Sequence, residues 1–101
     1  MPSIKLDNIF EAVTDNAEEA NELQTRADLM IVIRDIVQEN GWKQSEAAVK
    51  LDLTQPRVSD LLNGKIEKFS IDLLMTCLFR LGFRFKPEYK NHKLTMAVQA
   101  A

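Results

Sequence analysis

Side chains that can donate or accept hydrogen bonds are concentrated between residues 44 and 68 of this 101-residue chain. They are Gln44, Ser45, Thr54, Gln55, Arg57, Ser59, Asp60, Lys65 and Lys68. Glutamine can form two hydrogen bonds with adenine and arginine two with guanine, whereas serine suits phosphates or bases. Lysines that follow such a run suit the phosphates of a nucleic-acid backbone. This combination of residue types predicts contact with DNA.

The rest of the chain offers little for catalysis or metal binding. His92 is the only histidine and follows Asn91 in a predicted turn, while Cys77, the only cysteine, falls in an apolar segment. A cysteine in such a segment is expected to be a small buried hydrophobic residue. The sequence has no Cys/His cluster with metal-ligand spacing and no glycine-rich loop after a strand. We therefore expect no enzyme activity, no metal and no cofactor.

Apolar residues repeat at spacings of three and four along most of the chain, which predicts four helices. Their expected bounds are residues 17–40, 44–51, 55–63 and 71–81. The first has a predicted buried face of Leu23, Ala27, Met30, Ile33 and Val37. Thr54 and Ser70 are favourable N-caps for the third and fourth helices. A glycine follows the first, third and fourth helices, as expected where the backbone must turn out of a helix.

The second and third predicted helices are short and are joined by a tight turn, which is the pattern of a helix-turn-helix. Val58 and Leu61 would hold the third helix against the core. This packing would leave its other residues, Gln55, Arg57, Ser59 and Asp60, on the outer side near its N-terminus. In a helix-turn-helix, that end of the recognition helix enters the major groove. Gln44 and Ser45 begin the preceding helix, where free N–H groups favour a phosphate.

After the fourth helix, apolar residues alternate with polar ones, which predicts strands at residues 83–86 and 94–98 with a turn between them. An isolated two-stranded hairpin is marginal in water, so this one must dock on the helices or pair with a second copy. We expect a dimer surface formed by Leu78, Phe83, Phe85, Leu94, Met96 and Val98. The pattern leaves open whether the strands pair within one chain or between two.

The net charge of −2 conceals an uneven distribution. Residues 1–40 carry three positive and nine negative charges, and residues 41–101 carry ten positive and six negative, so the two parts sum to −6 and +4. We expect three regions: a loosely docked acidic arm (1–16), a helix-turn-helix domain (17–82) and a C-terminal β extension (83–101) that mediates dimerisation. No segment has the pattern of a membrane span or a signal peptide, and we expect a cytoplasmic protein.

The run L-D-L-T-Q-P-R-V-S-D-L-L-N-G-K-I-E-K-F-S-I-D-L-L, residues 51–74, resembles the XRE-type helix-turn-helix of phage lambda-like repressors. It is most similar to HigA-like antitoxins. Two upstream runs resemble the same subfamily, L-D-N-I-F-E-A-V (6–13) and R-A-D-L-M-I-V-I-R-D-I-V (26–37). The resemblance departs from the family pattern at Asp52, where glycine is common, and at Lys43, where a Ser or Thr cap is usual.

This resemblance implies a mainly α fold: a lambda-repressor-like domain of about five helices with a short C-terminal β-hairpin or strand. It also implies a homodimer on double-stranded DNA with a palindromic operator and, for antitoxins, a RelE-like ribonuclease toxin as partner. Carried over by position, the family's DNA contacts fall on Gln44, Thr54, Gln55, Arg57 and Ser59, with Lys65 near the backbone.

Three functions fit the sequence. The first is a DNA-binding repressor that is also the antitoxin of its own operon. The second is a stand-alone or phage-derived XRE repressor without a toxin. The third is a protein-binding inhibitor that sequesters a ribonuclease, for which the acidic first forty residues would suit a basic partner. An inhibitor alone would not need the set of base-reading side chains.

Overall fold

The computed structural model describes residues 16–100, which form a mainly helical domain followed by a β-hairpin. The helices are α1 (Ala17–Glu39), α2 (Gln44–Leu51), α3 (Gln55–Leu62) and α4 (Ile71–Arg80), with a single 3-10 turn at Ile66–Lys68. The strands are β1 (Phe83–Lys90) and β2 (Lys93–Ala100). The predicted fold class and the four predicted helices are confirmed. The predicted acidic arm lies outside the described residues, apart from Asn16, whose Oδ1 accepts N–H bonds at the start of α1.

The core lies where α1 and α4 meet the two short helices. From α1 it receives Met30, Ile33 and Val37, and from α4 Leu74, Cys77 and Leu78. The short helices contribute Ala47, Leu51, Val58 and Leu61, and Phe69 enters from the loop before α4. These residues recur at helical spacing, so each helix turns one stripe inward. The packing fixes α3 against the long α1 and α2 against α4, and it leaves the outer sides of both short helices exposed.

Local hydrogen bonds set the ends of α2 and α3. The Glu46 carboxylate accepts the Lys43 N–H at 2.8 Å, so α2 begins without a conventional capping side chain. The turn after α2 uses Asp52 at φ 55°, a left-handed conformation that aspartate tolerates better than most residues. At the end of α3, Gly64 has φ +72° and donates to Leu61, and Lys65 donates to Asp60. This Schellman motif folds the chain back along α3.

The hairpin is longer than the sequence predicted. Only Asn91 and His92 form the turn, both with positive φ, and the strands pair antiparallel from Lys90 opposite Lys93 to Phe83 opposite Ala100. The prediction of a turn over residues 87–93 was therefore wrong, because Pro87 lies within β1 opposite Met96. With a two-residue turn, Pro87 occupies a non-hydrogen-bonded pair, where its nitrogen faces the outer edge and needs no donor. The two strands pair within one chain.

The two faces of the hairpin differ completely in character. In this register one face carries only Phe83, Phe85, Pro87, Tyr89, Leu94, Met96, Val98 and Ala100. Four cations, Arg84, Lys86, Lys90 and Lys93, lie on the other face. At the base of the hairpin, the apolar face borders a groove of about 290 Å³ lined mainly by Leu29, Val32, Ile36, Phe83, Phe85 and Val98. Farther out the apolar face is uncovered, and Leu94 is 71% exposed.

Candidate nucleic-acid interface

The outward side of α3 differs in part from the predicted one. Val58 and Leu61 are buried, and at 100° per residue the positions opposite them are Pro56 and Asn63, both exposed. Gln55 is also exposed, while Ser59 and Asp60 lie half-buried on the flanks of this outer side. Neither Pro56 nor Asn63 was predicted to lie on the outer face. Counting helical angles from the buried pair would have identified both.

Arg57, predicted to lie on the outer side, is instead directed along the flank of the domain. Its Nη1 donates to the Lys68 carbonyl at 3.3 Å, and its Cζ lies 4.7 Å from the centroid of the Phe69 ring. The reason is position: Arg57 precedes Leu61 by one helical turn, so its side chain starts beside the buried stripe. The guanidinium is half-buried and ties α3 to the loop before α4. A base-reading role would require it to leave these contacts.

Asp60, Lys65 and Lys68 form one ion-pair cluster at the end of α3. Asp60 Oδ2 lies 3.3 Å from Lys68 Nζ, and Asp60 Oδ1 lies 3.9 Å from Lys65 Nζ. Both lysine side chains remain about half exposed, whereas that of Asp60 is 22% exposed. The structure therefore brings three of the predicted site residues together, with the two cations directed toward a single carboxylate.

The remaining predicted contacts lie at the two helix N-termini. Gln44 and Ser45 are the first two residues of α2, and both are exposed. Thr54 is the N-cap of α3, where its Oγ1 accepts the Arg57 N–H at 3.4 Å. Gln55 follows it as the first helical residue. The amide and hydroxyl groups of Gln44, Ser45 and Gln55 are thus displayed where N–H groups are unpaired within the helix, a favourable environment for phosphates.

The turn between α2 and α3 is held by α4. Arg80 Nη1 donates to the Leu51 carbonyl at 2.9 Å, and Arg80 Nη2 lies 3.9 Å from the Asp52 carboxylate. Asp52 thus replaces the glycine that is common in the family with a residue that both accepts the left-handed conformation and faces a cation. The sequence did not predict this role for Arg80, because it depends on residues 29 positions apart.

Cys77, the free cysteine of the described residues, is buried in the core. Burial raises the pKa of the Cys77 thiol, an effect that the nearby Arg80 and Arg57 guanidinium groups partly oppose. Within residues 16–100, no group of three or more His, Cys, Asp or Glu side chains could hold a metal ion. No helix in the same range is long and apolar enough to cross a membrane.

The predicted dimer residues divide into two groups. Phe83, Leu94, Met96 and Val98 are exposed, and Phe85 is half-buried beside the groove. Leu78 also lines the groove but is only 2% exposed, so it belongs to the core rather than to a protein surface. The sequence could not separate these cases, since α4 is apolar around most of its circumference.

The chain is similar to known proteins both in sequence and in fold. A family model described as a helix-turn-helix domain matches residues 12–86. One solved structure, whose name places it among XRE family transcriptional regulators, is 35% identical with a TM-score of 0.64. The alignment covers 74% of this chain and 82% of that one. A search of curated proteins found no match. The chain belongs to the XRE-type helix-turn-helix family of DNA-binding transcriptional regulators.

Proposed function

We propose that this regulator is a sequence-specific repressor that inserts α3 into the major groove of its operator. The observation that carries the proposal is the exposed polar start of α3, with Gln55 at its first position, on a helix held by Val58 and Leu61. In this proposal Gln55 and Ser59 would read base edges, and Asn63 would extend the same outer side. Gln44, Ser45 and Thr54 would contact phosphates, with Lys65 and Lys68 on the flank.

The test is a DNase footprint on the promoter upstream of the protein's own gene, followed by titration of the protected duplex. Gln55→Ala should weaken operator binding by roughly 1–3 kcal/mol and relax the preference at one base pair. Gln38→Ala is a matched control, since Gln38 is exposed on α1, outside the helix-turn-helix. If Gln55→Ala bound every operator variant with the same affinity as the unmodified protein, the assignment of Gln55 as a base-reading residue would be refuted.

We also propose a homodimer whose protomers place their α3 helices in half-sites about one helical turn apart. The support is the continuous apolar face of the hairpin, because a surface of Tyr89, Leu94 and Met96 at 70%, 71% and 55% exposure is unfavourable in water. A second copy offers the same face and the adjoining groove.

The dimer proposal has a matched pair of variants. Met96→Glu adds a charge to the apolar face and should give the mass of one protomer by light scattering. Gln99→Glu adds the same charge to the opposite face of the same strand, opposite Arg84, and should leave the dimer intact. A dimer mass for Met96→Glu, or the mass of one protomer for the unmodified protein at micromolar concentration, would refute this surface.

A second candidate function is an antitoxin that also binds a ribonuclease of the RelE-like class. The observation in favour is that α1 carries exposed acidic residues along its length, Glu18, Glu19, Glu22, Asp28, Asp35 and Glu39, of which Glu22 pairs with Arg26. An excess of acidic residues on this helix would attract a basic protein. The neighbouring reading frame tests this directly: it should encode a basic protein of roughly a hundred residues that co-purifies with this chain. A frame of another kind would favour a stand-alone or phage-derived repressor.

A further inference from the structure

The side chain of Asp60 is not directed outward, as it would be in a residue that contacts DNA bases. Its carboxylate is directed toward Lys65 and Lys68 rather than outward, and its side chain is 22% exposed. The backbone of the same residue accepts the Lys65 N–H at 3.0 Å. The carboxylate and carbonyl of Asp60 therefore bind the segment that carries both lysines.

Lys68 is held at two points by residues one helical turn apart on α3. Arg57 donates to its carbonyl at 3.3 Å, and Asp60 pairs with its ammonium group at 3.3 Å. The Schellman turn at Gly64 makes this possible, since it folds the chain back toward the outer flank of α3. The lysines thus share one negative charge before any nucleic acid is present.

We propose that Asp60 is a positioning residue, an internal counter-ion that reduces the attraction of Lys65 and Lys68 for any phosphate backbone. The proposal rests on the DNA-binding function argued above. Affinity for DNA of any sequence comes largely from cations that displace counterions at phosphates. A lysine already paired with a carboxylate displaces fewer, and the carboxylate repels an approaching phosphate. Asp60 therefore limits affinity without contributing to the choice of base.

The test compares Asp60→Asn with the unmodified protein on operator and non-operator duplexes over a range of salt concentrations. Loss of the carboxylate should strengthen binding to both duplexes by the same factor, up to roughly eightfold at 0.1 M salt. This upper figure is a slope of about 0.9 in log K, the share of one phosphate, taken over the tenfold change from 1 M salt, where the two proteins should bind equally. The slope of log K against log salt should steepen by up to about that amount.

Three further variants isolate the cause. Asp35→Asn makes the same change in net charge on an exposed residue of α1 and should leave both affinities unchanged. Asp60→Glu retains the charge and should restore binding close to that of the unmodified protein. In a background of Lys65→Gln with Lys68→Gln, the effect of Asp60→Asn should shrink to the part that comes from direct repulsion between the carboxylate and phosphate. Asp60→Ser serves as a second neutral variant, and circular dichroism establishes that each protein is folded.

Two results would overturn the proposal. One is unchanged or weaker binding of Asp60→Asn to non-operator DNA. The other is a loss confined to the operator, with discrimination lost at one base pair, because that is the behaviour of a direct base contact. Elution from heparin separates this inference from the proposed function. If the unmodified protein bound no operator, later elution of Asp60→Asn would still support the counter-ion, and unchanged elution would exclude it.

Discussion

The contacts of Arg57 predict that this residue stabilises the fold, whatever its part in DNA binding. In Arg57→Ala the domain loses the hydrogen bond from Nη1 to the Lys68 carbonyl and the stacking of the guanidinium on Phe69. A hydrogen bond from a charged group contributes about 1.5–3 kcal/mol, and the 3.3 Å length and partial exposure favour the low end. A cation–π contact at a half-exposed site adds about 0.5–1 kcal/mol.

The expected loss is about 2 kcal/mol in the free energy of unfolding. For a domain of this size that corresponds to a fall of about 8–16 °C in Tm. Urea titration followed by circular dichroism would measure the free energy, and a thermal scan the Tm. Arg34→Ala is the matched control, because Arg34 is an exposed arginine on α1, and its effect should stay within about 0.5 kcal/mol.

A double-mutant cycle locates the effect. Phe69→Leu removes the ring that faces the guanidinium, so the loss from Arg57→Ala should shrink by about 0.5–1 kcal/mol in that background. Arg57→Lys keeps the charge but not the planar group and should recover only part of the stability. The reasoning would be refuted if Arg57→Ala had the same free energy of unfolding as the unmodified protein. It would also be refuted if the losses from Arg57→Ala and Phe69→Leu were fully additive. DNA affinities of these variants should be compared well below their Tm.

Three further predictions concern the core, the thiol and the phosphate flank. Leu74→Ala should lower the free energy of unfolding by about 2–5 kcal/mol because Leu74 is fully buried. Val49→Ala, at a position of α2 that is 79% exposed, should cost far less, and equal losses in urea titration would contradict the assigned core. Cys77 should react with a thiol reagent only as the protein unfolds, and reaction at the rate of the denatured chain would contradict its burial. Since the folded pKa of this thiol is raised, the unfolded state loses its proton first as pH rises, and stability should decline above about pH 8.5, measurable by urea titration. Lys65→Gln should weaken operator and non-operator binding alike and flatten the salt slope by less than about 0.9, because Asp60 already shares its charge; an unchanged slope would remove Lys65 from the interface.

Much of the fold could be predicted because its signals are local. Thr54 and Ser70 start helices through bonds to N–H groups three residues away, and Asn63-Gly64 ends one through its own backbone. Such short patterns can be recognised in the sequence because they do not depend on residues distant in the chain. The hairpin length was missed because Pro87 suggested a turn. Proline is compatible with a strand when its nitrogen faces an open edge, and only the register reveals that.

The site was predicted by residue type better than by orientation. Arg57 turns toward Phe69 and the Lys68 carbonyl, partners that lie beyond the end of its own helix. The pairing of Asp60 with two lysines also depends on how the chain returns after Gly64. Neither contact produces a repeating pattern in the sequence from which it could be predicted. The Asn-Gly pair does indicate a reversal at this point, and it could have suggested that the lysines return to α3.

Pro87 has a consequence for how the hairpin meets other β-strands. Both long edges of a two-stranded sheet are open to extension by a further strand, a common route to aggregation. At the middle of β1, however, proline supplies no N–H, so a strand added along that edge would lack a central hydrogen bond. Lys90 lies on the same strand and would repel a like-charged copy. The hairpin is therefore suited to associate through its apolar face, and its β1 edge is protected against the addition of a further strand.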